Sequence, residues 1–344
     1  MILTFISINL STVIKYMYKN NGGILMKITI LDGSAANPGD LSFAPFEEFG
    51  EVMAYDVTKP GQLIERMRGS EVAITNKTVF DRETLEALPD LRYIGVLATG
   101  YNVVDLDECR KRGITVTNVP EYGTYATAQM TIALLLELTN HTALHDSSVK
   151  AGDWVRSEQF CYWKKPLTEL YGKKAVIVGY GKIGKRVCAI LEALGAEVIA
   201  VPHTLREGVT HDGNVRFMSF EEAVPMADIL SFHCPLTDET RGMISRKNFA
   251  SCKKGVIVIN AARGPIAVES DVRGMLEEGI IGGYAADVVS QEPMLPDNPL
   301  LGAPNCILTP HIAWAAKETR MRLIEVAADN LRAYLNGSPV NTVT

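Results

Sequence analysis

Beyond residue 26 the chain is punctuated by short apolar runs, rich in valine and isoleucine, that alternate with longer stretches whose apolar positions recur at helical spacing. The runs predict strands at 27–31, 52–55, 72–75, 93–98 and 115–117, then at 174–178, 197–201, 228–233, 255–260, 283–286 and 306–308. Helices are predicted between them, at 82–88, 126–139, 183–194, 269–278 and 319–335. Alternating strands and helices imply parallel sheets covered on both faces, which is also why the strands read as unbroken apolar runs rather than as alternating ones. A chain of 344 residues exceeds what one core usually organises. The fold class expected is therefore α/β, with two doubly wound parallel-sheet domains: a flavodoxin-like domain from 26–122 and 314–344, and a Rossmann domain, 123–313, inserted into it.

The first 25 residues fit this plan poorly. Residues 1–13 are apolar but lack the basic start and small-residue cleavage site of a secretion signal, and they are too short for a membrane span. Met26 opens Lys27-Ile28-Thr29-Ile30-Leu31-Asp32, a natural first strand. The expectation is that Met26 is the native start and that Asn21-Gly22-Gly23 is a translated ribosome-binding sequence. A net charge of −6 offers no basic field, so nucleic acid is not an expected partner. Six scattered cysteines without a C-x-x-C pair suit a reducing cytoplasm.

The first chemical signal is Gly179-Tyr180-Gly181-Lys182-Ile183-Gly184, placed between a predicted strand and a predicted helix. Gly179 permits a tight turn, Gly181 lets backbone approach a pyrophosphate, and Gly184 lets helix and strand pack closely. The helix N-terminus then offers N–H groups to the anion. An acid usually follows about 20 residues on to bind the ribose 2′-hydroxyl. Here the second strand ends in Pro202-His203-Thr204, with Arg206 and Glu207 beyond. NAD is expected, with NADP kept open because His203 or Arg206 could meet a 2′-phosphate.

Three further motifs follow: Asn260-Ala261-Ala262-Arg263-Gly264, Asp287-Val288 through Glu292-Pro293, and Thr309-Pro310-His311-Ile312-Ala313. With the glycine turn, their order and spacing resemble the D-isomer-specific 2-hydroxyacid dehydrogenases, from about Met26 to the end. Thr75-Asn76-Lys77, Ala98-Thr99-Gly100-Tyr101-Asn102, Pro120-Glu121-Tyr122-Gly123-Thr124 and Phe160-Cys161-Tyr162-Trp163 resemble the family's glycerate dehydrogenase (hydroxypyruvate reductase) branch. The guanidinium of Arg263 suits a carboxylate and would polarise the neighbouring carbonyl. His311 would give the proton as hydride reaches C2, and Glu292 would fix its ring. The family pattern assigns the same three catalytic roles.

The resemblance also implies that Asp287 contacts the nicotinamide carboxamide. It puts His233, Cys234, Pro235, Thr240, Ala261 and Ala262 along the cofactor, although His233 and Cys234 also read as buried strand residues. Backbone N–H groups of Thr99, Gly100 and Tyr101 would take the substrate carboxylate, with Asn76 and Lys77 beside them or simply forming a strand-end turn. His141 and His145 read as a solvated helix end, and no metal is expected. The implied partners are a small 2-oxo or 2-hydroxy acid, bound where two domains close, and a second copy of the chain in a homodimer. D-glycerate is the expected substrate; D-3-phosphoglycerate, D-lactate and a dinucleotide-sensing corepressor on the same scaffold are the alternatives.

Overall fold

The structure, a computed structural model, describes residues 26–205 and 208–344. The expected N-terminal extension, 1–25, and the cofactor candidates Arg206 and Glu207 lie outside the described residues. The chain forms two compact units. One takes the described residues up to Tyr122 together with Ala315–Thr344, and the other is Gly123–Trp314.

The first unit is built on five strands: β1 (Lys27–Ile30), β2 (Glu51–Ala54), β3 (Val72–Thr75), β4 (Tyr93–Val96) and β5 (Thr115–Thr117). They are all parallel in the order β2-β1-β3-β4-β5, the flavodoxin-like arrangement that the alternation predicts. Every residue of β3 and β4 is buried, as layers on both faces require, whereas the edge strand β2 is largely exposed. One core layer gathers Leu31, Phe80, Leu85, Ile94 and Val116.

The C-terminal helix, Lys317–Leu335, packs on this sheet. Its Tyr334 ring lies 4.9 Å from that of Tyr93, and its Asn330 donates to the Asn118 carbonyl at 2.9 Å. Arg320 forks onto both oxygens of Asp40 at 2.7 Å, which ties the helix to the turn after β1. The partner guanidinium holds the Asp40 carboxyl below the usual carboxylate range.

The second unit contains β6 (Lys174–Val178), β7 (Glu197–Val201), β8 (His211–Asp212), β9 (Val215–Phe217), β10 (Ile229–Phe232), β11 (Val256–Asn260), β12 (Ile281–Ala286) and β13 (Cys306–Leu308). Their order is β13-β12-β11-β10-β6-β7-β9-β8, parallel except for the last pair. The chain builds outward from β6 through β7 and β9, then returns to lay β10 on the other side of β6. That reversal is the Rossmann switch point. The helix Thr124–Asn140 packs Ala128, Leu135 and Leu138 on one face of the sheet, beside Val187 and Leu191 of the helix Lys182–Ala193.

Several elements were not predicted, among them the short helices Leu63–Met67 and Leu106–Arg112. The 141–152 stretch, read as polar with His141 and His145 at a solvated helix end, carries a helix of its own at Thr142–Lys150. The β8–β9 hairpin was missed because β8 is two exposed residues without an apolar run. Its available cue was Asp212-Gly213, with Gly213 at a φ of 62° in the turn.

Candidate active site

The cofactor and reactive-group motifs of the second unit lie where strands stop. Gly179 follows β6, Pro202 follows β7, His233 follows β10, Ala261 follows β11, Asp287 follows β12 and Thr309 follows β13. Because these strands run parallel, the motifs gather on one edge of the sheet, on both sides of the switch point.

At the glycine turn the three glycines have different physical reasons. Gly179 adopts a φ of 99°, and a Cβ there would lie 2.6 Å from the His233 carbonyl carbon. A Cβ on Gly184 would fall 2.0 Å from the Gly179 carbonyl oxygen, so helix and strand touch through bare backbone. Gly181, the N-cap of the helix Lys182–Ala193, has an ordinary φ of −81° and nothing within 4 Å of where its Cβ would point. Open space in front of a helix N-terminus, held by a turn that a side chain would fill, fits a dinucleotide pyrophosphate. The contrast gives a prediction. Gly184→Ala should destabilise the fold by about 1–3 kcal/mol or more, as overpacking does. Gly181→Ala should leave the melting temperature in place and raise the cofactor Kd roughly tenfold or more, at 1.4 kcal/mol per decade. Thermal melts and cofactor titration of both variants check it.

Beneath this turn, His233 accepts or donates through Nε2 to the Ser231 hydroxyl at 2.8 Å, while its Nδ1 is buried without a hydrogen-bond partner among the described residues. Burial pushes its imidazole down to about 4, so the ring is neutral near pH 7. A buried unpaired ring nitrogen against the glycine turn is a polar atom awaiting a partner, which also fits a bound dinucleotide. Cys234 is buried, and burial pushes its thiol up to about 11, which makes it an inert wall rather than a nucleophile. Thr240 donates to the Pro235 carbonyl at 2.7 Å and so shapes this loop. His203 is exposed past the end of β7, with no acid in 202–205.

Three adjacent strand ends carry the reactive groups. The Asp287 N–H donates to the Asn260 carbonyl at 3.1 Å, and the His311 N–H donates to the Asp287 carbonyl at 2.8 Å, stitching β11, β12 and β13 together. His311 Nδ1 lies 2.7 Å from Glu292 Oε2, which makes Nδ1 the donor and fixes the ring. Its Nε2 has no partner among the described residues. About a third of each side chain is exposed, so the pair is reachable yet held. Asp287 is buried and accepts from the Thr309 hydroxyl at 2.6 Å and from the Ile312 and Ala313 N–H groups at 2.8 and 2.7 Å. It thereby fixes the turn in which His311 sits at a φ of 55°.

Arg263 stands at the end of β11, exposed, and no described carboxylate pairs with it. Its Nη1 donates only to the Ala262 carbonyl, at 2.7 Å. Buried Asn260 shapes this loop by donating to the Arg263 carbonyl and accepting from the Ala262 N–H. A Cβ on Gly264 would lie 1.9 Å from the Val289 carbonyl oxygen, so the backbone after Arg263 rests on the loop leading to Glu292. The second unit thus presents a guanidinium without a described acid partner and a carboxylate-tethered imidazole at strand ends separated by that of β12.

In the first unit, Asn76 and Lys77 follow β3 while Thr99, Gly100 and Tyr101 follow β4, its neighbour in the sheet. Buried Asn76 donates from Nδ2 to the Leu97 carbonyl at 2.5 Å, joining the two loops. Lys77 is exposed and pairs with no described acid. The N–H groups of Thr99, Gly100 and Tyr101 donate to no described residue, whereas the Thr99 hydroxyl donates to the Val119 carbonyl at 3.1 Å. His145 is spent on structure: Nδ1 meets the His141 carbonyl at 2.7 Å and Nε2 accepts from the Lys164 N–H at 3.1 Å. His141 is the left-handed link between two helices.

Sequence reasoning did not assign roles to Asn260, Thr309, Ser231 or Asp32. The first two lie inside recognised motifs and were available as polar residues at strand ends. Among the described residues there is no group of three or more metal-ligating side chains, and no helix is long and apolar enough to cross a membrane.

The sequence model described as "D-isomer specific 2-hydroxyacid dehydrogenase, NAD binding domain" matches residues 132–313. The hydroxypyruvate reductase of Blautia hydrogenotrophica is 44% identical over 321 residues, covering 92% of this chain and 99% of its own. The glycerate dehydrogenase of Methylorubrum extorquens is 35% identical, covering 92% and 98%. A crystal structure of a Thermus thermophilus protein superposes with a TM-score of 0.80 at 32% identity, covering 93% of this chain and all of that one.

Proposed function

The chain belongs to the D-isomer-specific 2-hydroxyacid dehydrogenases, and on that footing we propose that it reduces hydroxypyruvate to D-glycerate, with glyoxylate as a second substrate. The observation that carries the reading is the 2.7 Å Glu292–His311 pair on the strand end next but one to that of the unpaired Arg263. When bound, the reduced nicotinamide supplies the hydride that C2 of the oxo acid receives. Arg263 holds the substrate carboxylate in its fork and draws electron density from the carbonyl. Because Nδ1 of His311 is committed to Glu292, Nε2 is the atom left to protonate the carbonyl oxygen. Glu292 fixes the ring and so the direction in which it gives the proton.

Gly179, Tyr180, Gly181, Lys182, Ile183 and Gly184 form the cofactor turn in this reading, with the 233–235 segment beneath it. NAD is the proposed cofactor, a reading supported by the match to the family's NAD binding domain, with NADP the alternative because Arg206 follows β7 in the sequence and could meet a 2′-phosphate. In the first unit, the open N–H groups of Thr99, Gly100 and Tyr101, together with Lys77, offer an edge suited to a carboxylate.

We also propose a cytoplasmic homodimer. What supports the cytoplasm is six free thiols. What supports self-association is the loop after the helix Thr142–Lys150, which exposes Trp154, Val155, Phe160 and Trp163. That loop is held from below by Asp153, which accepts from Ser148, Lys164 and Arg156 at 2.7–2.8 Å.

The direct test is a panel of hydroxypyruvate, glyoxylate, pyruvate and 3-phosphohydroxypyruvate, each run with NADH and with NADPH. The highest kcat/KM is expected for hydroxypyruvate with NADH. A higher value for the phosphorylated acid, or for NADPH, would replace that part of the reading.

A further inference from the structure

At the end of β1 the Asp32 carboxylate collects an unusual number of hydrogen bonds. Oδ1 accepts from the Asn76 N–H at 2.7 Å, and Oδ2 from the Lys77 and Thr78 N–H groups at 2.5 and 2.9 Å. The hydroxyls of Thr75 and Thr78 add longer bonds to Oδ2, at 3.3 and 3.2 Å. Three successive N–H groups turned toward one point form a nest for an anion, and here the anion is the protein's own side chain. The carboxylate comes from just past β1, the strand next to β3 in the sheet.

The consequence falls on the loop after β3. With its N–H groups turned inward onto Asp32, the 76–78 turn is tied to the end of β1. In it, the Asn76 side chain reaches back to the Leu97 carbonyl while Lys77 stays exposed and unpaired. The same turn therefore fixes the Lys77 stem and braces the strand end from which Thr99, Gly100 and Tyr101 follow. We propose that Asp32 is a positioning residue for substrate-carboxylate recognition: an internal anion that fills the nest so that Lys77, rather than the loop backbone, is presented to the substrate. This rests on the reading of Lys77 as a substrate contact. Asp32 does not touch the substrate and takes no part in proton or hydride transfer.

The experiment is a double-mutant cycle on the full-length enzyme with Asp32→Asn, Lys77→Met and both together, read as KM for hydroxypyruvate, kcat and the Kd for NADH. Asp32→Asn keeps one neutral accepting oxygen and turns the other into an NH2 donor that faces backbone N–H groups. It should raise KM about tenfold, the scale of one hydrogen bond to a charged group, with kcat and the NADH Kd within about twofold. The double variant should be no worse than Lys77→Met alone, because residues acting through one contact are not additive. Thr78→Val, which removes only one hydroxyl from the cluster, should raise KM in the same direction by a smaller factor, and it serves if Asp32→Asn does not fold.

If Lys77→Met leaves KM unchanged, the assignment of Lys77 to the substrate fails. If Lys77→Met raises KM while Asp32→Asn, or Thr78→Val in its place, leaves it unchanged, the substrate reading stands and the role of Asp32 is overturned. A fall in kcat and a rise in the NADH Kd alongside KM would mark Asp32 as a general structural residue and also overturn the proposal.

Discussion

Replacing His311 with asparagine is expected to lower kcat/KM for the 2-oxo acid by about 10²–10⁴-fold, the usual contribution of a positioned general acid. Asparagine is the informative choice because His311 occupies the left-handed region at a φ of 55°, which asparagine tolerates better than most residues. The backbone bond from its N–H to Asp287 does not depend on the side chain. The turn should therefore persist, and Glu292, about a third exposed, is left in contact with water rather than buried unpaired. Stability and cofactor affinity should barely move. Single-turnover rates, NADH titration and a thermal melt separate the cases: a variant with kcat within a few-fold of the parent would remove His311 from the proton step.

Arg263 gives the second large effect. Arg263→Gln should cut kcat/KM by about 10²–10⁴-fold, the loss expected when one partner of a desolvated charge pair is removed. Much of it should appear as a raised KM, because the carboxylate loses its fork, and part as a lowered kcat, because the carbonyl loses polarisation. Arg263→Lys keeps the charge without the planar fork and should fall between the two. The side chain is exposed and unpaired in the structure, so neither change should shift the melting temperature beyond the small range of surface substitutions. Steady-state kinetics across hydroxypyruvate concentration read both effects. Equal losses with an uncharged aldehyde and with the oxo acid would mean that Arg263 does not read the carboxylate.

The sheets were legible because a strand buried on both faces has little choice of residue. Val72–Thr75 and Ile229–Phe232 are buried at every position, and both were read from their apolar runs. The β8–β9 hairpin was not, since two exposed residues carry no periodicity. The reactive groups were legible for a different reason: singly, Arg263, Glu292 and His311 also read as an ion-pair partner, loop punctuation and a turn cap, and only the order of their motifs resembles a family pattern. What a linear reading could not supply was the pairing. Asp32 is joined to its three N–H partners across 44 to 46 residues, and nothing near Asp32 in the chain names them. Asp287 was legible as an acid at a strand end, but its hold on the Ile312 and Ala313 N–H groups became visible only once β12 and β13 were seen side by side.

The proposed reaction delivers a hydride to C2 of a 2-oxo acid on the face that gives the D-hydroxy acid. Reduction of hydroxypyruvate with nicotinamide carrying deuterium at its transferable position, followed by chiral separation and mass analysis, measures this in one step. The expected product is D-glycerate with one deuterium at C2. L-glycerate, product without deuterium, or tight cofactor binding with no product would contradict it.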